Sequence, residues 1–214
     1  SAVGGDRTVF LTAVELCQLS ITQLAAVLSG LDINMGLSKT IPILMERTSV
    51  SGQTDVKIGV ASDKLVQQLA KHPKIGCEAV TKMVISTFGR SDRPIRALVL
   101  LRTLLSDFGL RLCAQRDVVM LLLGAAGGQL ERLGAQGEGA LSDDPDSVRP
   151  QLVGVLATVN QFSAETVKQA MAEVDPAQRK LLQAALQEAP NPRLVALGAT
   201  AAEQEEIPHL AGSA

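Results

Sequence analysis

The sequence predicts an all-α protein built as an α-solenoid of stacked helix pairs. Three observations predict it. Hydrophobic residues make up 46% of the 214 residues, yet aromatics are only 2%, with no Trp and no Tyr. The core must then be Leu, Val, Ile and Ala, a palette that suits helix packed on helix because Ala and Leu lead the helix propensities. A second signal is self-similarity. "TDVKIGVASDKLVQQLA" from Thr54, "RPIRALVLLRTLLSDFG" from Arg93 and "DSVRPQLVGVLATVNQF" from Asp146 share an outline. The third is that each such helix is followed by a break and another apolar helix.

In the shared outline a β-branched residue is followed at once by a base: Val56-Lys57, Ile95-Arg96 and Val148-Arg149. An apolar pair follows: Val60 and Ala61, Val99 and Leu100, Leu152 and Val153. Asp55, Asp92 and the Asp143-Asp144-Pro145-Asp146 run stand upstream, where acids cap orphan N–H groups. "GGDRTVFLTAVELCQLS" repeats the outline without the base, with Asp6 upstream. The β-branched residue is expected to face inward. Lys57, Arg96 and Arg149 are expected to form a ladder reaching along the stack to the next repeat's acidic turn.

The partner helices follow in order. After "SGLDINMG", read as a break, comes "LSKTIPILMERT"; after "KHP" comes "KIGCEAVTKMVIST". After "GLRLCAQ" comes "RDVVMLLLGAA"; after "QFS" comes "AETVKQAMAEV". Asp175-Pro176 opens a last helix, with Pro in the first turn where its missing N–H costs nothing. The array so drawn covers 1–188, with repeats at 6–50, 53–88, 91–126 and 143–174 and a final helix at 176–187. Such lengths fit two-helix HEAT-type units, each burying its apolar face on its neighbours. The glycine-rich stretch 124–144 reads as a flexible insertion. The remainder, 189–214, has scattered prolines and no helical period, and reads as a tail or linker.

Composition and motifs exclude several functions. A net charge of −2 and a pI near 5.7 favour neither DNA nor anionic membranes in bulk. No apolar run approaches the ~18 residues of a membrane span, and "SAVGGDR" has no signal-peptide core. Four Phe are too few to stack bases. Phe10, Phe88 and Phe108 fall at core positions, leaving Phe162 at an elbow. Cys17, Cys77 and Cys113 lack metal-ligand spacing and read as buried reduced thiols. His72 lies beside Lys71 and Lys74, whose charge makes it a poor general base, and His209 lies in the tail. Asp143, Asp144 and Asp146 miss the Gly and Glu of a calcium loop. No enzyme activity, cofactor or metal is expected.

Three segments carry a family resemblance: "TVFLTAVELCQLSITQLA", "LSKTIPILMERTSVSGQTDVKIGVASDKLVQQLAKHP" and "SDRPIRALVLLRTLLSDFG". Together they resemble the TOG domains of the ciliary-tip, centrosomal type over roughly Thr8 to Gly109. The most specific part is Lys39-Thr40-Ile41-Pro42-Ile43-Leu44 through Arg47-Thr48. The resemblance implies a flat HEAT paddle that binds the tubulin heterodimer or the microtubule plus end through the turns inside each repeat. It also implies a place in the cytoplasmic cytoskeleton, at the cilium tip, axoneme, centriole or centrosome, among other ciliary-tip and centriolar proteins. Transferred to this chain, the binding edge is Asn34 to Lys39 with Ser38 and Lys39; Lys71, His72 and Lys74 in "KHPK"; Arg111 to Arg116; and Asn160 to Ser163 with Phe162, backed by Lys168. This chain departs from the family pattern in lacking the first-repeat Trp, and it enters at what resembles the second repeat. The alternative is a HEAT-type scaffold that binds another protein and has no tubulin affinity. Neither reading involves nucleic acid or membrane.

Overall fold

The computed structural model describes residues 2–24, 27–46, 56–91, 94–135 and 147–188. Nine α-helices and no strand occur among the described residues. They are α1 (Ala2–Leu24), α2 (Gly30–Glu46), α3 (Val56–Lys71), α4 (Gly76–Arg90), α5 (Ile95–Cys113), α6 (Arg116–Ala135), α7 (Val148–Phe162), α8 (Ala164–Met171) and α9 (Pro176–Glu188). The helices pack in two rows. In one, α1 meets α3, α3 meets α5, and α5 meets α7. In the other, α2 meets α4, α4 meets α6, and α6 meets both α8 and α9. Consecutive helices such as α3 and α4 join the rows, and α9 also leans on α7.

One continuous apolar core runs from Phe10 to Ala185. Ile41, Leu65, Phe88, Leu98, Leu123 and Leu152 are among its fully buried members. Each such side chain contributes about 1.5–3 kcal/mol by leaving water. Phe10 and Phe88 are buried as expected, while Phe108 is only partly so.

Several boundaries differ from the sequence expectation. Asp6 lies inside α1 rather than before it. The break expected across Ser29–Gly36 is helical from Gly30 onward, because Ile33, Leu37, Ile41 and Leu44 form one buried stripe straight through it. Gly36 costs that helix about 1 kcal/mol relative to Ala, less than the stripe recovers. The true start of α2 is a reciprocal cap. The Asp32 N–H donates to Ser29 Oγ (3.2 Å), and the Ser29 N–H donates to Asp32 Oδ2 (3.1 Å). The Ser29 hydroxyl also donates to Asp32 Oδ2 (2.5 Å), and this bond first, then that from the Ser29 N–H, holds the Asp32 carboxyl below its ordinary pKa.

The flexible insertion does not begin at Gly124. Residues 124–135 complete α6, and Gly127 is needed there because α9 comes close: a Cβ on it would stand 2.9 Å from Gln178. Residues 136–144 lie outside the described residues, as do Asp55, Asp92, Asp143, Asp144, Asp146 and the tail 189–214. With its full length, α6 is long and apolar enough to cross a membrane, contrary to expectation. Half of that stretch is buried in the core, as befits a central helix lying against α4, α8 and α9. Ile95 does not face inward either: it is 41% exposed, and the inward stripe of α5 is Ala97, Leu98, Leu101, Leu104 and Leu105.

Polar ties pin helix to helix. Arg96 of α5 reaches back to Asp63 and donates to the Gly59 carbonyl of α3 (2.9 Å). Arg149 of α7 grips Glu188 of α9 through two nitrogens (2.6 and 3.2 Å). Arg96 and Arg149 thus each tie one helix to another, but Arg96 reaches a mid-helix acid of the preceding pair and Arg149 the end of α9, rather than an acidic turn of the next repeat. In the other row Gln129 of α6, buried, donates to the Phe88 and Ser91 carbonyls that end α4 (2.8 and 3.0 Å). It braces the C-terminus of α4, where the Phe88 carbonyl also accepts the Ser91 N–H at 3.2 Å.

Candidate binding rim

The α3–α4 elbow is built from Lys71-His72-Pro73-Lys74-Ile75. Its His72 carbonyl accepts the N–H groups of Ile75 (3.2 Å) and Gly76 (2.8 Å). The His72 Nδ1 accepts the Lys74 N–H at 3.3 Å, so the ring acts as a turn brace. Gly76 follows with φ +81°, a conformation that costs a side chain about 1–2 kcal/mol. Lys71 and Lys74 are exposed, and Lys71 Nζ lies 3.9 Å from Asp107 of α5.

The next elbow, between α5 and α6, is only Ala114-Gln115. Arg111 lies in the last turn of α5 and Arg116 opens α6, both exposed. Arg116 is ion-paired with Glu173, in the turn after α8. Asp117 beside it is paired with Lys82 of α4, which also holds Glu78 at 2.7 Å. Those hydrogen bonds, Asp117's first, push the Lys82 pKa up, and Lys82 holds the Asp117 carboxyl below its ordinary value.

The third elbow, between α7 and α8, is Ser163 alone, whose hydroxyl shares a 2.5 Å hydrogen bond with Thr166. Phe162 does not present itself to solvent there. Its ring lies half-buried against α5 at Gly109, where a Cβ would meet three ring carbons at 2.3–2.6 Å. Phe162 is thus a wedge between α5 and α7. Lys168, exposed on α8, borders a shallow hollow with Asn160, Met171 and Arg179.

The contacts Lys71–Asp107 and Gly109–Phe162 join the C-terminal parts of α3, α5 and α7, the ends that lead into the three elbows, while Lys82–Asp117 ties the middle of α4 to the start of α6. The structure thereby brings Lys71, His72, Lys74, Arg111, Arg116 and Phe162 to successive elbows along one side, with Lys168 one helical turn below. It does not bring Ser38 and Lys39 there. Both lie within α2, where the Ser38 hydroxyl donates to the Met35 carbonyl at 2.9 Å. The turn joining α1 to α2 lies earlier, around Val27–Ser29, and was signalled by Ser29-x-x-Asp32.

The rim is of mixed sign: Glu78, Asp107, Asp117, Glu165 and Glu173 stand among the bases. Arg111 and Lys168 make no ion pair among the described residues. No three His, Cys, Asp or Glu converge on a metal-sized site among the described residues. Cys77 and Cys113 are buried free thiols, Cys17 is half-buried, and burial pushes Cys113 up to about 11. Compared with protein-family models, with curated proteins and with solved structures, the chain matches none.

Proposed function

We propose that the chain is a HEAT-type α-solenoid of the TOG kind that binds tubulin or a microtubule end through its elbow rim. One observation carries this reading: three consecutive elbows share one side, and the first two of them carry Lys71, Lys74, Arg111 and Arg116. The in-row order of helix contacts supports the solenoid part, since each helix leans on the one two places along. Clustered bases on a rigid edge favour an acidic partner by speeding encounter and fixing orientation. On this reading the protein works in the cytoskeleton, at a cilium tip or centriole.

A second reading, a helical scaffold for another protein without tubulin affinity, is favoured by the rim's mixed sign. Asp107 and Glu173 already engage Lys71 and Arg116. Gel filtration with free tubulin separates the two. The tubulin reading expects co-elution that Lys71→Glu/Lys74→Glu abolishes with thermal stability unchanged. Lys39→Glu, mid-α2, serves as the matched control and should co-elute like the parent. Co-elution surviving the double reversal refutes the rim; no co-elution by the parent leaves the scaffold reading.

A further inference from the structure

A groove runs along the seam between α1 and α3, away from the elbow rim for most of its length. Two hollows, of about 660 and 360 Å³, meet at Glu15 and Gln18 and so form one trough. Volumes of this size are ample for side chains of an incoming segment. Its floor is apolar: Val14 and Leu65 are buried, and Ile21 and Ala61 are half-buried. Its lips are apolar as well. Leu19 is 59% exposed and Val60 48%.

The charge along the trough is one-sided. The α3 lip carries Lys57, Lys64 and Lys71, which recur every seven residues and all line the trough. Seven residues return a helix to nearly the same face, about 10 Å further on. On the α1 lip the one lining acid among the described residues is Glu15. A straight apolar trough between two helices, edged on one side by bases at heptad spacing, matches a third helix. That helix would place apolar residues at i, i+3 or i+4 and i+7 into the seam. Its acids, at seven-residue intervals, would face the three lysines.

We infer that the α1–α3 seam is a docking site for an acidic amphipathic helix of a partner protein, about four turns long. The site is separate from the tubulin rim except at Lys71 and the adjoining elbow. A partner could therefore be held on the row face while the elbows engage something else.

The test is fluorescence anisotropy with two labelled synthetic 18-residue peptides. Both carry a Leu stripe; one has Glu at three positions seven apart beside it, the other Lys. The intact protein should bind the Glu peptide about ten-fold or more tighter than the Lys peptide, with the preference shrinking as salt rises. Lys64→Glu should weaken the Glu peptide about three-fold and strengthen the Lys peptide. Val60→Asp, at an exposed lip, should weaken both without lowering the melting temperature. Equal binding of the two peptides, no binding of either below 1 mM, or indifference to Val60→Asp each overturns the site. Sedimentation of the protein alone supplies a further check: a dimer dissociated by Val60→Asp means a second copy fills the trough, and the inference is wrong. Neither Lys64 nor Val60 belongs to the rim, so tubulin co-elution by these variants succeeds or fails independently.

Discussion

Replacing Gly109 by Ala should destabilise the protein only while Phe162 is present. The added Cβ would stand 2.3 Å from Phe162 Cε2 and 2.6 Å from Cδ2 and Cζ, against an ordinary carbon–carbon contact of about 3.5–4.0 Å. The ring must retreat by more than an ångström. It can do so, because Phe162 is the last residue of α7 and only half-buried. The cost is then bounded by overpacking and lost ring burial, about 1–3 kcal/mol. Against it stands the helix propensity of Ala over Gly inside α5, worth about 0.8–1 kcal/mol. The net expectation in the parent is a destabilisation of up to about 2 kcal/mol. In a Phe162→Ala background the clash is gone and only propensity remains, so the same substitution should stabilise by about 0.5–1 kcal/mol. Urea unfolding of the four proteins in this cycle measures both numbers. A Gly109→Ala effect of the same sign in both backgrounds would refute the wedge.

Ser29→Ala removes the hydroxyl half of the α2 cap and should cost about 1 kcal/mol, read as a fall in urea midpoint at constant slope. Gly76→Ala should cost about 1 kcal/mol or more by strain at φ +81°, although open space surrounds the position, and a neutral result would contradict the left-handed elbow. Iodoacetamide on native protein should label Cys17 ahead of Cys77 and Cys113, which react only after denaturant is added. Burial raises the folded Cys113 pKa from 9.0 to about 11, so between those values the unfolded chain binds fewer protons than the folded one. Stability should fall as pH climbs through that window, and Cys113→Ala should flatten that part of the profile.

The helical class was legible because it rests on composition and on period, which are local properties. The α9 start was equally plain: Asp175 Oδ1 accepts the Ala177 N–H at 2.9 Å, the cap its sequence announces. Where glycine was taken as punctuation, tertiary packing prevailed. Gly36, Gly109 and Gly127 all lie inside helices, the first carried by a buried stripe and the other two by close neighbours. Among the described residues the glycine with a positive φ is Gly76, and it sits in "KHPKIG" close to the proline that already marked the elbow. The partners of the bases were not legible. Arg96 with Asp63 and Lys82 with Asp117 join residues more than thirty positions apart, and many pairings satisfy the same charges. The three lysines of α3 were visible as residues, but their place beside a trough depends on α1 lying against α3.

The mixed sign of the rim changes what an acidic partner would gain there. Exposed ion pairs contribute about 0–1 kcal/mol each, so a partner that draws Lys71 from Asp107 exchanges one weak contact for another. Affinity from summed charge is therefore small, and it is screened beyond about 8 Å at physiological ionic strength. Spacing is a different matter. Neighbouring helices in a row stand about 8–10 Å apart, so the bases of successive elbows repeat at roughly that interval on a rigid frame. A partner whose acids share the interval meets several bases at once without reordering the array; one with the same charge at another spacing meets one base and at least one of Asp107, Asp117 or Glu173. On the proposed binding reading, the acids among the bases exclude the wrong partner. On this reading Asp107→Asn should admit more partners rather than bind the right one much more tightly.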